Sequence, residues 1–130
     1  MKDTIENGNI DYKIRQQKTK QDDQNMKYLE RLINQAPLML FIKGTPEAPQ
    51  CGFTKELLDL LSKANITDYK TFDILQDENI RHRLKEYSSW QTYPQVYVNG
   101  QFIGGLDIIK QMSDNDTLIS TLTRKQGIAV

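Results

Sequence analysis

Apolar positions change their period along this chain, and each change marks an element. Met26, Leu29, Leu32, Ile33 and Ala36 recur at helical spacing, and Pro37 ends that segment. Leu38-Met39-Leu40-Phe41-Ile42 is a continuous apolar run, as expected of a strand covered on both faces. A loop containing Gly44, Pro46 and Pro49 follows. Leu57, Leu58, Leu61 and Ala64 then mark a second helix face, with Asn65 as its stop. Tyr69 to Ile74 reads as a strand. Asp77 caps a third helix whose Ile80, Leu84 and Tyr87 form one stripe. Gln95-Val96-Tyr97-Val98, Asn99-Gly100 and Gln101-Phe102-Ile103 carry a strong hairpin signal, because Asn-Gly suits a type I′ turn. After Gly104-Gly105, Asp107 is positioned to cap a helix carrying Ile108, Ile109 and Met112, and Leu118, Ile119 and Leu122 mark a last one.

The order is helix, βαβ, helix, β-hairpin, helices. A right-handed crossover makes the first two strands parallel, and the hairpin adds an antiparallel pair. The expected fold is α/β: a four-stranded mixed sheet flanked by helices on both faces, the plan of a thioredoxin-like domain. Ligands of open α/β sheets bind beyond the carboxyl ends of the strands, which places the segment after Ile42 at the candidate site.

Residues 1–24 lack this periodicity. Ile5, Ile10 and Ile14 are too sparse among Lys, Gln, Asn and Asp to bury a face, so the segment reads as a mobile tail and 25–130 as one domain. No apolar h-region marks a secretory signal. Asp3, Glu6, Asp11, Asp22 and Asp23 make a poor mitochondrial transit peptide, which leaves a mitochondrial or a cytoplasmic location open. The 130 residues carry 17 Lys+Arg against 17 Asp+Glu. That balance offers no electrostatic case for nucleic acid or an anionic membrane as partner, and no apolar run reaches membrane-spanning length.

Chemistry concentrates at Cys51, the only cysteine. A lone thiol forms no internal disulfide, so redox or metal chemistry must borrow sulfur from outside. Where a C-x-x-C pair would put its second cysteine, the chain has Thr54. Position at a helix start favours thiolate over thiol through unpaired N–H groups and the helix dipole. The competing reading is a buried packing cysteine, since free cysteine is among the most buried residue types. The Gly and Pro flanks argue for a loop edge instead.

Lys43-Gly44-Thr45-Pro46, Cys51-Gly52-Phe53-Thr54, Trp90-Gln91-Thr92-Tyr93-Pro94 and Gly104-Gly105-Leu106-Asp107, in this order, resemble the monothiol glutaredoxins of the Cys-Gly-Phe-Ser class. The resemblance spans about Asn25 to Leu122. Two departures stand out. Thr54 replaces the commoner serine, and Leu106 sits where many members carry a second cysteine. The resemblance implies glutathione as ligand. Lys43 would lower the Cys51 pKa and meet a glutathione carboxylate, against the ordinary fate of a solvated lysine. Thr92-Tyr93-Pro94 looks like a cis-proline corner that leaves the Tyr93 backbone to pair with an extended peptide. Leu106 and Asp107 would hold the γ-glutamyl end. Arg81 would meet the glycine carboxylate, or simply pair with Glu78. His82, the only histidine, reads as a surface residue, and Trp90 could be local core.

Two mechanisms are compatible with one thiolate beside glutathione. In the reading favoured by the resemblance, the protein binds and transfers a [2Fe-2S] cluster, with Cys51 as its only protein ligand. Two protomers and two glutathione molecules would then supply four thiolates to a cluster-bridged homodimer. BolA-like proteins and apo iron–sulfur proteins are the partners the family implies. The alternative is a glutathione-dependent oxidoreductase in which Cys51 attacks glutathionylated protein thiols.

Overall fold

The computed structural model describes residues 20–124, so most of the expected tail lies outside the described residues. The chain divides into one unit ending at Leu32 and another beginning at Ile33. Among the described residues the first helix, α1, covers 20–33 and so includes residues 20–25, which have no apolar period. Their polar side chains support the helix locally: Gln21 Nε2 donates to Asn25 Oδ1 at 3.3 Å, one turn on. Leu29 and Leu32 are buried, whereas Met26 is 44% exposed. The helix stops at residue 33, short of Ala36.

From Ile33 onward the strands are β1 (Leu38–Ile42), β2 (Lys70–Asp73), β3 (Gln95–Val98) and β4 (Gln101–Gly104), in sheet order β2-β1-β3-β4. β1 runs parallel to β2 and antiparallel to β3, and β3 pairs antiparallel with β4. All five β1 residues are buried, as a continuous apolar run requires. β2 is shorter than its pattern suggested: Tyr69 precedes it, and the buried Ile74 opens a 3₁₀ turn, Ile74–Gln76. The hairpin turn has φ of 51° at Asn99 and 82° at Gly100, the two positive values a type I′ turn needs.

The helices are α2 (Gly52–Lys63), α3 (Glu78–Ser88), α4 (Leu106–Asp114) and α5 (Leu118–Leu122). Alternation along β1 and β3 sends Leu38, Leu40, Ile42, Val96 and Val98 into one core with Leu57 and Leu61 of α2, Leu106 and Ile109 of α4, and Leu118 and Leu122 of α5. Complete burial of a leucine contributes roughly 1.5–3 kcal/mol, so Leu57 and Leu61 anchor α2 firmly. On the opposite face Phe41 packs edge-on against Tyr97 at 5.4 Å, and Tyr87 of α3 meets Tyr97 at 6.5 Å. Tyr87 thus keeps its place on the α3 stripe despite 37% exposure. Asp77 caps α3 as expected, accepting from the Ile80 N–H. Asp107 does not cap α4. The N-cap is Gly105, and Asp107 lies in the first turn, where its charge favours the helix dipole without closing a capping bond.

Candidate functional site

Strand register brings three chain segments to one end of the sheet. Ile42 pairs with Asp73 and Phe41 with Gln95, so the exits of β1 and β2 adjoin the entrance to β3. The Asp73 carboxylate ties the first two together, its Oδ1 accepting from the Gly44 N–H at 2.9 Å and the Leu75 N–H at 3.0 Å. The loop after Lys43 closes on itself. Gly44 bridges to Pro49, Gln50 N–H donates to the Lys43 carbonyl at 2.9 Å, and Thr45 and Ala48 exchange backbone hydrogen bonds. That closure delivers Cys51 to the start of α2.

Cys51 is the N-cap residue of α2, with extended φ −155° and ψ 140°, and is partly exposed. Its sulfur makes no capping hydrogen bond of normal geometry, yet it faces the free N–H groups of the first turn. Burial raises the thiol pKa. The amides of Thr54 and Phe53, the Lys43 ammonium and the Thr54 hydroxyl outweigh that and hold the thiol below its ordinary value. Thr54 itself is fully buried, and its Oγ1 accepts from the Lys43 N–H at 3.2 Å. Lys43 is therefore held at its N–H by Thr54 and at its carbonyl by Gln50, one residue on each side of the Cys51–Gly52–Phe53 segment.

The pH dependence of thiol reactivity tests this arrangement. Removing a positive charge destabilises thiolate, so Lys43→Gln raises the Cys51 pKa towards its ordinary 9.0. Iodoacetamide alkylation followed against pH should show a midpoint below 9.0 in the native protein and a higher one in the variant. Alkylation near neutral pH is then slower in Lys43→Gln, and the two rates converge in alkali. Superimposable profiles would remove Lys43 from the electrostatics of the thiol.

Beside the thiol lies a groove of about 200 Å³ lined by Phe53, Trp90, Thr92, Tyr93, Pro94, Leu106 and Asp107. Three of the six residues singled out in the sequence thus share one surface: Tyr93, Leu106 and Asp107. Lys43 and Cys51 do not line it; the link to the thiol is Phe53, two residues after Cys51 and 62% exposed. The Tyr93-Pro94 peptide bond is cis. The Tyr93 hydroxyl donates to the Arg81 carbonyl, and burial raises its pKa far enough that it stays a donor despite the opposing Arg81 charge. Arg81 does not line the groove. Its guanidinium stands 3.8 Å from Glu78 Oε1, the local pairing weighed in the sequence. His82 is exposed on α3, 3.2 Å from Glu86.

Some groove residues carried little signal in the sequence. Phe53 and Thr92 were visible only as parts of motifs. Trp90 joins the groove while also packing on Phe102 at 5.7 Å, and its buried indole N–H has no hydrogen-bond partner among the described residues. The helices bearing the thiol and the groove are themselves joined, Lys110 of α4 lying 2.6 Å from Glu56 of α2. Among the described residues no group of three or more His, Cys, Asp or Glu could hold a metal ion, and no helix is long and apolar enough to cross a membrane.

The glutaredoxin family model matches residues 38–103, half of the chain. The chain belongs to the glutaredoxin family. Over 96 residues the glutaredoxin domain is 51% identical to glutaredoxin 3 of Danio rerio, covering 74% of this chain and 29% of the relative. It is 50% identical over 88 residues to monothiol glutaredoxin-4 of Saccharomyces cerevisiae, covering 68% and 36% respectively. The chain therefore spans about a third of the length of these curated relatives. In solved structures the domain is similar to a monomeric truncated mutant of Trypanosoma brucei 1-C-Grx1, with TM-score 0.65 and 37% identity over 75% of this chain and 87% of that one. The sheet and flanking helices of the glutaredoxin domain are thus those of the thioredoxin-like fold.

Proposed function

We propose that this glutaredoxin domain binds glutathione in the groove beside Cys51 and uses the protein thiolate and the glutathione thiolate together to carry a [2Fe-2S] cluster between proteins. The observation that carries the reading is the isolated thiol: one cysteine, partly exposed at a helix start, with its pKa lowered by nearby amides and Lys43. A [2Fe-2S] cluster takes four thiolates, so a chain offering one must recruit the rest. Two protomers with two glutathione molecules meet that count. Iron binds thiolate rather than thiol, and a lowered pKa raises the thiolate fraction over that of an ordinary cysteine.

The groove suits a short extended peptide with charged ends. Asp107 offers a carboxylate to an ammonium group, and the N–H groups opening α4 beside Leu106 suit a carboxylate. Tyr93 offers backbone to the peptide, and Lys43 a cation near the sulfur. The Arg81 pairing with Glu78 must be exchanged if Arg81 is to meet the glycine carboxylate. BolA-like proteins and apo iron–sulfur proteins are the partners this reading entails.

The same lowered pKa also suits attack on a glutathionylated protein thiol, the oxidoreductase alternative. There the Cys51 thiolate displaces the substrate thiolate and forms a Cys51–glutathione disulfide. A second glutathione thiolate then releases Cys51 and leaves as oxidised glutathione.

Anaerobic reconstitution with iron, sulfide and glutathione separates the two. Cluster carriage predicts a brown dimer with visible charge-transfer absorption and about one labile sulfide per protomer. Rapid donation to an apo-ferredoxin with negligible turnover of glutathionylated substrates supports the carrier. A colourless protein that rapidly reduces such substrates overturns it in favour of the oxidoreductase.

A further inference from the structure

Only two polar side chains among the described residues are buried in the core, Thr54 and Gln95. Thr54 belongs to the thiol loop. Gln95 is fully buried on the aromatic face of the sheet, opposite Phe41 and two residues before Tyr97. A buried carboxamide is tolerated only where its donors and acceptor are matched. Here they are matched to the groove wall. Gln95 Nε2 donates to the Trp90 carbonyl at 3.1 Å and to the Thr92 carbonyl at 3.4 Å. The Tyr97 hydroxyl donates to Gln95 Oε1 at 2.8 Å, which sets which end of the amide faces which way. Ser88 adds a second grip on the same turn, its Oγ accepting from the Trp90 N–H at 3.2 Å.

We propose that Gln95 is a positioning residue for the groove: anchored by Tyr97, its carboxamide holds the 90–93 segment in the shape that presents Trp90, Thr92 and Tyr93 to the ligand. The proposal rests on the reading of that groove as the glutathione site. A strand-opening residue needs no polar side chain to pair in the sheet, and its neighbours Val96 and Val98 fill the other core with aliphatic groups. The segment it holds has no regular structure of its own between α3 and β3, so its carbonyls depend on such side-chain donors. Loss of the carboxamide takes the side-chain donor from the Thr92 carbonyl and leaves the Trp90 carbonyl with only the Ser88 hydroxyl at 3.4 Å, and the segment relaxes towards water.

Trp90 is the sole tryptophan, so its fluorescence reports the segment directly, with or without ligand. Gln95→Met keeps length and volume and removes both donors. In a variant that still melts cooperatively, Trp90 emission should shift to the red and acrylamide quenching should accelerate. Glutathione affinity, measured by titration calorimetry, should fall about tenfold, the scale of a binding group displaced by a fraction of its contact distance. Tyr97→Phe removes only the hydroxyl that orients the carboxamide, and should move both readouts in the same direction to a smaller extent. It decides the question if Gln95→Met does not fold. Unchanged Trp90 emission and unchanged affinity in a folded variant overturn the proposal. If the native protein binds no glutathione, the functional reading fails, and the Trp90 readout alone still decides whether Gln95 holds the segment.

Discussion

Cys51→Ser should abolish both glutathionylation and cluster loading while leaving the fold intact. The loss follows from arithmetic: the chain has no other cysteine, and the described residues offer no alternative metal cluster. A serine hydroxyl near neutral pH is neither a thiolate nor a disulfide former, so both chemistries end at one atom. The retention of fold has a separate cause. Cys51 occupies the N-cap of α2 in extended geometry, and its side chain makes no capping hydrogen bond. Serine is among the best residues there, because its oxygen accepts from the N–H groups of the first turn. Stability should therefore hold or rise by about 0.5–1 kcal/mol, equivalent to a few degrees in Tm. Mass spectrometry after oxidised-glutathione treatment, iron and sulfide analysis after reconstitution, and a thermal melt provide the three readouts. A normal cluster in Cys51→Ser would place iron ligation elsewhere and remove the thiol from the centre of the functional reading.

How much of this could be read beforehand differs by element, for physical reasons. Leu38–Ile42 is legible because only a doubly covered strand needs five apolar residues in a row, and all five are buried. Asn99-Gly100 is legible because few residues accept two successive positive φ values. The described residues 20–25 of α1 are not, since they are polar all round and carry no period. Asp107 misleads for the opposite reason. Its type suits an N-cap, but the helix already begins at Leu106, so the cap falls on the extended Gly105, which caps with no side chain. Thr54 was in principle readable: it stands three residues before Leu57 and seven before Leu61, on the buried stripe of α2. Gln95 was not. Its burial depends on carbonyls at Trp90 and Thr92 and on a hydroxyl at Tyr97, and strand pattern says nothing about such partners. The same limit applies to Arg81, whose residue type suits a carboxylate but whose spacing to Glu78 equally suits a pair along the helix.

Gly44→Ala should cost more stability than any other single methyl group added to the thiol loop. Gly44 has φ +92°, a conformation that a side chain disfavours by about 1–2 kcal/mol. The added carbon would also fall 2.5 Å from the Ala48 carbonyl oxygen and 2.7 Å from the Gln50 nitrogen. Both are backbone atoms, so no side-chain rotation relieves the contact. Nor can the loop open freely, because Gln50 N–H is bonded to the Lys43 carbonyl and Gly44 N–H to the Asp73 carboxylate. Strain and displaced contacts together should cost about 2–4 kcal/mol. With roughly 4–8 °C per kcal/mol for a domain of about this size, Tm should fall by about 10 °C or more. Gly52→Ala supplies the control eight residues further on. There an added carbon meets nothing within 4 Å, and the position opens a helix, so stability should stay level or rise slightly. Any movement of the loop also carries Lys43 and Gln50 away from their present positions around Cys51. Thiol alkylation near neutral pH should therefore slow in Gly44→Ala and not through unfolding, provided it is measured well below the melting transition. A Tm within about 2 °C of the native protein, well under the effect of 1 kcal/mol, would show that the loop yields without cost and does not hold the thiol in place.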